Sequence, residues 1–296
     1  MAGEVSGSAE RHARCCICCA GEHLLRSPAI LMPFLAKRIF NHEPTEITEA
    51  WGLRDIPSGI AYSLCNTLEC VDCGLLFLDY RFSDYELGLL YTDYRGEEYN
   101  ALRRRFEPDY CATAIHYNGR AAYLDDVENL LAPYLTERPR VLDWGGGSGV
   151  NSPFRFRAEA LHVYDISDVT VCEEAIRVSK EECLDHNYDL VVCSQVLEHV
   201  SYPIEVLKQL TQSLGPETVL YLEVPFEGIF ASPNDGCPLG EKKRHWHEHV
   251  NFFSPASLRV LAHRNSLEIL MSKILPVSLG WTEGAIQMLI CRLARK

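Results

Sequence analysis

The stretch Arg140-Val141-Leu142-Asp143-Trp144-Gly145-Gly146-Gly147-Ser148-Gly149 limits the fold more than any other part of the chain. A short apolar run of this kind reads as a buried strand. It empties into glycines, which let a backbone take positive φ and lie close against a ligand. The turn would then open a helix. Two common nucleotide loops are excluded. A phosphate-cradling loop ends in Gly-Lys-Ser/Thr, and none is present. The dinucleotide fingerprint G-x-G-x-x-G fails in both frames, because its third glycine would fall on Val150 or Ser152. What remains is Asp-x-Gly-x-Gly-x-Gly.

The text around this loop alternates between helical and strand-like periods, the signature of an α/β domain. The spacing predicts helices over residues 121–135, 204–214 and 255–264, the last with Ser254 as N-cap and Pro255 at its first position. Strands are expected at 140–143, 161–164, 169–171, 189–193, 218–224, 267–274 and 285–293. This places one α/β domain at residues 121–296. Residues 81–120, rich in Tyr and Arg, read as a helical linker. Residues 15–80 hold seven of the 13 cysteines and show little periodicity, and the polar residues 1–14 are expected to be disordered.

With 28 basic and 41 acidic residues the net charge is −13, which repels phosphate backbones and argues against nucleic-acid partners. The most apolar stretch, residues 29–40, is broken by Pro33, Lys37 and Arg38, far short of the roughly 20 apolar residues of a membrane span. No signal-peptide core precedes it, so a cytoplasmic location with reduced thiols is expected. Cys15-x-x-Cys18 and Cys70-x-x-Cys73 form two knuckle-like pairs suited to tetrahedral Zn²⁺. Cys16-x-x-Cys19 has the same spacing as the first pair. Cys15 and Cys18 are favoured because they place apolar Ile17 between them.

The glycine loop resembles the first motif of class I S-adenosylmethionine-dependent methyltransferases. Asp165, 22 residues after Asp143, stands where that family carries an acid for the cofactor's ribose. Tyr188-Asp189-Leu190-Val191-Val192-Cys193-Ser194-Gln195-Val196-Leu197-Glu198-His199-Val200 is similar to the family's fourth-strand motif. The resemblance implies a Rossmann-like, seven-stranded class I methyltransferase sheet behind an N-terminal zinc-binding segment. The connection from Asp165 to Asp189 is short for this fold, so its third strand and helix are expected to be abbreviated. Two cysteine pairs ahead of such a domain, with Cys70-Val71-Asp72-Cys73-Gly74-Leu75-Leu76-Phe77, look like the deoxysugar C-methyltransferase family.

The resemblance implies S-adenosylmethionine and Zn²⁺ as cofactors, and a small-molecule acceptor such as a nucleotide-linked sugar or a related natural-product intermediate. A non-sugar hydroxyl or amine acceptor, or a non-catalytic scaffold role, are the alternatives. Asp143, Gly145, Gly147 and Asp165 would hold the cofactor, with Ser194 and Gln195 bordering its methionine part. His245-Trp246-His247-Glu248-His249 follows the fifth strand. Its three histidines read as a metal site, as surface polarity or as catalytic. The family carries an aromatic-x-Glu-His element here, usually with Tyr where this chain has Trp246. His249, oriented by Glu248, is the expected base, with His199 as the alternative. Tyr91 and Tyr94 line the pocket or pack between domains.

Overall fold

The computed structural model of the chain describes residues 11–109, 119–184, 187–231, 236–278 and 283–295. The N-terminal part contains β1 (Leu24–Leu31), α1 (Pro33–Phe40), β2 (Thr45–Ile47), β3 (Gly59–Ala61), β4 (Leu64–Cys70), β5 (Leu76–Leu78), α2 (Asp84–Tyr91) and α3 (Glu97–Phe106). Then follow α4 (Leu124–Leu131), β6 (Arg140–Trp144), β7 (Ala160–Tyr164), β8 (Ala175–Arg177), β9 (Leu190–Ser194), α5 (Pro203–Gln212) and β10 (Val219–Pro225). The chain closes with α6 (Leu239–Lys242), β11 (His245–Trp246), β12 (Asn251–Phe252), α7 (Pro255–Arg264), β13 (Leu267–Ser278) and β14 (Glu283–Leu293).

Local chemistry sets several boundaries. Ser83 and Glu86 form a reciprocal capping box that starts α2. The Ser254 hydroxyl accepts from the Ser257 N–H, and Pro255 follows it, so α7 begins where the sequence places it. In α4, Leu124, Val127 and Leu131 form one buried stripe.

The large sheet has seven strands in the order β13-β14-β10-β9-β6-β7-β8. Strands β10, β9, β6, β7 and β8 pair in parallel, while β14 runs antiparallel to both β10 and β13. Val141, Leu142, Leu190, Val191, Val192, Leu220 and Leu222 are fully buried. Continuous apolar text is what strands covered on both faces require.

The large sheet departs from the expected pattern at two places. The third parallel strand is Ala175–Arg177, paired with Leu161–Val163, and not residues 169–171. It is abbreviated as expected, and only a 3₁₀ turn at Glu182–Leu184 accompanies it among the described residues of that connection. The glycine loop also opens no helix: residues 150–157 run through successive turns. Pro153 and the left-handed Phe154 (φ 60°) break any helical path there.

The N-terminal sheet does not respect the boundary near residue 120. Its order is β11-β1-β4-β5-β12, so both outer strands come from the far side of the large sheet's sequence. Trp246, Val250 and Phe252 join Phe34, Leu35, Leu76 and Tyr99 in one core. Residues 12 and 13 contact the N-terminal sheet: His12 bridges Tyr80, and Ala13 N–H donates to the Asp79 carbonyl at 2.9 Å. Residues 1–10 lie outside the described residues. Among the described residues no helix is long and apolar enough to cross a membrane.

Candidate active site

The glycine loop sits at the C-terminal end of β6, next to β7 on one side and β9 on the other. In open α/β sheets ligands bind beyond this end. Gly145, Gly147 and Gly149 have φ of 79°, 57° and 76°, the left-handed region that only glycine enters freely. A Cβ on Gly145 would lie 2.4 Å from Val196, whereas one on Gly147 would meet nothing within 4 Å. The loop is therefore packed below and open above.

Asp165, at the end of β7, accepts the Gly147 N–H at 2.8 Å on one oxygen and the Ser167 N–H and hydroxyl on the other. A carboxylate offers about four lone-pair sites, so acceptor capacity remains for a ribose hydroxyl. Asp143 lies elsewhere than expected. It is 4% exposed, accepts the Ser152 hydroxyl and sits under Gly146, so it props the loop from beneath. Burial pushes its carboxyl up to about 7.

Ser194, the last residue of β9, and Gln195 just after it share a partner that sequence reasoning passed over. The Glu223 carboxylate accepts the Ser194 hydroxyl at 2.7 Å, the Gln195 amide at 2.9 Å and the Tyr123 hydroxyl at 3.0 Å. Tyr221 donates to its other oxygen. A single acid inside the apolar run Leu222-Glu223-Val224 was the available signal, because a fully buried carboxylate needs such donors. Gln195 is held at φ 56°, so this network fixes an unusual backbone turn beside the glycine loop.

The segment 245–252 sends its side chains to different places. Trp246 is fully buried in the N-terminal core, where its Nε1–H donates to Thr67 Oγ1 at 2.9 Å. It does not reach the site, so a Tyr at this position is not what the pocket lacks. His245 is exposed, and His247 Nδ1 lies 3.4 Å from Glu107. Glu248 does not orient His249: its carboxylate accepts from the Tyr99 hydroxyl and the Arg103 guanidinium. The carboxylate on His249 Nδ1 is Glu227, at 3.2 Å.

His249 and His199 meet edge to face, with ring centroids 4.6 Å apart and planes at 85°. His199 Nδ1 donates to the Glu248 carbonyl at 3.3 Å. Burial holds the His199 pKa well below the ordinary histidine value. Burial also acts to lower His249, but the Glu227 hydrogen bond and nearby acidic charges outweigh it and raise its pKa. Tyr91, from α2, stacks edge-on over His199 at 6.1 Å, with its hydroxyl buried and unpaired. The N-terminal part thus supplies one wall of the site.

The cysteine pairing is shifted by one residue from the favoured frame. Cys16, Cys19, Cys70 and Cys73 place their sulfurs within 4.8 Å of one another, with Cys16–Cys73 at 3.6 Å and Cys19–Cys70 at 3.5 Å. Cys15 is exposed, and the Cys18 thiol donates to the Ser257 carbonyl of α7 at 3.0 Å. Both pairs have equal spacing, and packing against α7 selects between them. The cluster is docked on the large sheet's last helix, since Ser254 Oγ also donates to the Cys73 carbonyl at 2.9 Å. Four thiols at these separations fit a tetrahedral Zn²⁺.

A parallel sheet with one antiparallel strand, β14, inserted next to its edge strand β13, and a glycine loop after its central strand, defines the class I methyltransferase fold. A family profile described as a methyltransferase domain matches residues 115–271, more than half of the chain, and the chain belongs to that family. It is a methyltransferase. No curated protein sequence matches it significantly. Among solved structures, a SAM-dependent methyltransferase from Methanosarcina mazei is similar at 16% identity, over 56% of this chain and 98% of its own, with a TM-score of 0.42. The Burkholderia thailandensis 1,6-didemethyltoxoflavin-N1-methyltransferase is similar at 16% identity over 76% of this chain and 97% of its own, with a TM-score of 0.49. A glycopeptide N-methyltransferase is similar at 12% identity over 58% and 91%, with a TM-score of 0.44.

Proposed function

We propose that the chain methylates a small molecule, a nucleotide-linked sugar or a related natural-product intermediate, with S-adenosylmethionine as donor. The observation that carries this reading is the open, left-handed Gly147 beside the Asp165 carboxylate, which takes three donors and keeps acceptor capacity for one more. The donor brings a methyl group already activated on a sulfonium, so the protein's task is alignment and proton handling. Asp165 would accept its ribose hydroxyls, Gly145 and Gly147 would let the backbone approach it, and Ser194 and Gln195 would border its methionine part. Asp143 supports the loop from below.

The acceptor would lie against the His199–His249 pair, with Tyr91 packed edge-on on His199. An attacking hydroxyl, or a carbon beside a ketone, must shed a proton, and this imidazole pair is the group placed to deal with it. Glu227 fixes the ring of His249 and the Glu248 carbonyl fixes that of His199. The two-pair cysteine segment and its docking on α7 support the deoxysugar-type assignment, with Zn²⁺ held by Cys16, Cys19, Cys70 and Cys73. A cytoplasmic setting agrees with a reduced cysteine cluster.

The test is transfer of labelled methyl from S-adenosylmethionine to a panel of nucleotide sugars, non-sugar hydroxyl compounds and amines. Label on a nucleotide sugar is expected. Label confined to another class would replace the acceptor assignment and keep the reaction.

A further inference from the structure

The fully buried Glu198 is left unexplained by the methyl-transfer reading. It is 1% exposed, and neither carboxylate oxygen has a hydrogen-bond donor. Buried carboxylates are expected to be hydrogen-bonded, paired or coordinated to a metal. Two imidazoles stand beside Glu198. His199 Nε2 lies 3.7 Å from Glu198 Oε1, and one donor atom from each of Glu198, His199 and His249 falls within 4.8 Å of the others.

We propose that Glu198, His199 and His249 form a binding site for a divalent transition-metal ion at the acceptor pocket. Metal-binding histidines almost always donate their other ring N–H to a carboxylate or a backbone carbonyl, which fixes the tautomer. Both arrangements occur here. His249 Nδ1 is held by the Glu227 carboxylate at 3.2 Å, and His199 Nδ1 by the Glu248 carbonyl at 3.3 Å. Each ring keeps its Nε2 for an ion. The two chain segments are also tied together, since the Glu198 carbonyl accepts from the Val250 and Asn251 N–H groups at 2.7 and 3.1 Å.

Two imidazoles and one carboxylate suit Zn²⁺, Co²⁺, Mn²⁺ or Fe²⁺ better than Mg²⁺ or Ca²⁺, which favour all-oxygen ligand sets. Zinc–ligand distances of about 2.0–2.2 Å would draw the side chains closer together than they now stand. Three protein ligands leave open positions, as catalytic metal sites do. Both imidazoles are partly exposed while Glu198 is buried, so an outer ligand would reach the ion from the side of the imidazoles. An oxygen-bearing acceptor is the ligand the open positions fit. With an ion bound, acidification of the acceptor oxygen by the metal would take the place of direct proton uptake by the imidazoles, so this deepens the reading of the acceptor site and rests on it for the identity of that outer ligand.

The probe is Co²⁺, added to the full chain with zinc retained in its cysteine cluster. One Co²⁺ per chain is expected, with weak d–d absorption of a nitrogen–oxygen site and no thiolate charge-transfer band. Glu198→Gln and His249→Ala should each weaken binding by at least roughly tenfold, and Glu227→Gln by roughly 10–100-fold through loss of the outer hydrogen bond. His247→Ala should leave it unchanged. If Glu198→Gln fails to fold, His249→Ala, at a partly exposed position, still decides the matter. Absence of a second ion, or equal affinity in all four variants, would overturn the site. Binding is read without turnover, so failure of methyl transfer to any acceptor would count against the methyl-transfer reading and not against the metal site.

Discussion

His249 Nδ1 stands 3.2 Å from a carboxylate oxygen of Glu227, 22 residues away in the chain, while the adjacent Glu248 turns the other way onto Tyr99 and Arg103. The two acids next to this histidine therefore have different tasks. Glu227, after β10, serves the site. Glu248 ties the segment to α3 and the N-terminal core.

Glu227→Gln should lower kcat by roughly tenfold or more, as loss of a carboxylate that orients a functional histidine does, with little change in thermal midpoint. Glu248→Gln should act mainly on stability, since it removes a charged hydrogen-bond partner of Arg103, a contact type worth about 1.5–3 kcal/mol. Steady-state kinetics and thermal unfolding of both variants separate the roles. The reverse pattern would return the orienting role to Glu248.

Asp165→Ala should weaken S-adenosylmethionine binding by about 1.5–3 kcal/mol for each ribose hydrogen bond lost, and it also frees the Gly147 N–H from its partner. Calorimetry reads this directly. Unchanged affinity would remove Asp165 from the cofactor site.

Gly145→Ala forces a side chain into a left-handed position, costing about 1–2 kcal/mol, and drives its Cβ to 2.4 Å from Val196. Adding Val196→Ala should relieve the clash but not the backbone strain. Partial recovery of stability in the double variant is expected, and full recovery would show that the loop does not need positive φ.

Purified protein should carry one zinc in its cysteine cluster. Cys16→Ser and Cys19→Ser should lose it, while Cys15→Ser should retain it, because Cys15 is exposed and outside the cluster. Elemental analysis after gel filtration decides the frame. Zinc loss should also loosen α7, whose first turn bonds to Cys18 and Cys73.

The burial of Asp143 sets the direction of a pH dependence in the fold. Its carboxyl is pushed up to about 7 by burial, from an ordinary value of 3.8, so the ionised form is disfavoured in the folded chain. Its contribution to stability is fully present below the unfolded value and falls as pH rises toward 7. Asp143→Asn, which can still accept the Ser152 hydroxyl, should be more stable than wild type at pH 8 by a larger margin than at pH 5. Equal margins in denaturant titrations at the two pH values would contradict this.

Much of the large sheet was legible because its signals are local. The apolar runs at Val141 and Val191, the glycine loop and Asp165 each carry their meaning within a few residues. The third strand was misplaced because Val169 and Val171 have the β-branched look of a strand, whereas Ala175–Arg177 forms one through pairing with β7. The N-terminal sheet was unreadable for a stronger reason. Its outer strands are contributed by His245–Trp246 and Asn251–Phe252, and no local pattern announces a partner so distant in sequence. The same weaving explains the site. Trp246, Glu248 and His249 are neighbours in sequence, but pairing of β11 with β1 and β12 with β5 sends the first two into the N-terminal core and the third into the pocket.

Methyl transfer at a site built from the glycine loop and the His199–His249 pair requires both imidazoles. Its most direct test is label transfer from methyl-tritiated S-adenosylmethionine to the nucleotide-sugar panel, comparing wild type with the His199→Ala/His249→Ala double variant. Labelled product is expected from wild type, with a rate lower by roughly 10²–10⁴ in the variant at unchanged cofactor affinity. Equal rates in the two proteins would contradict it.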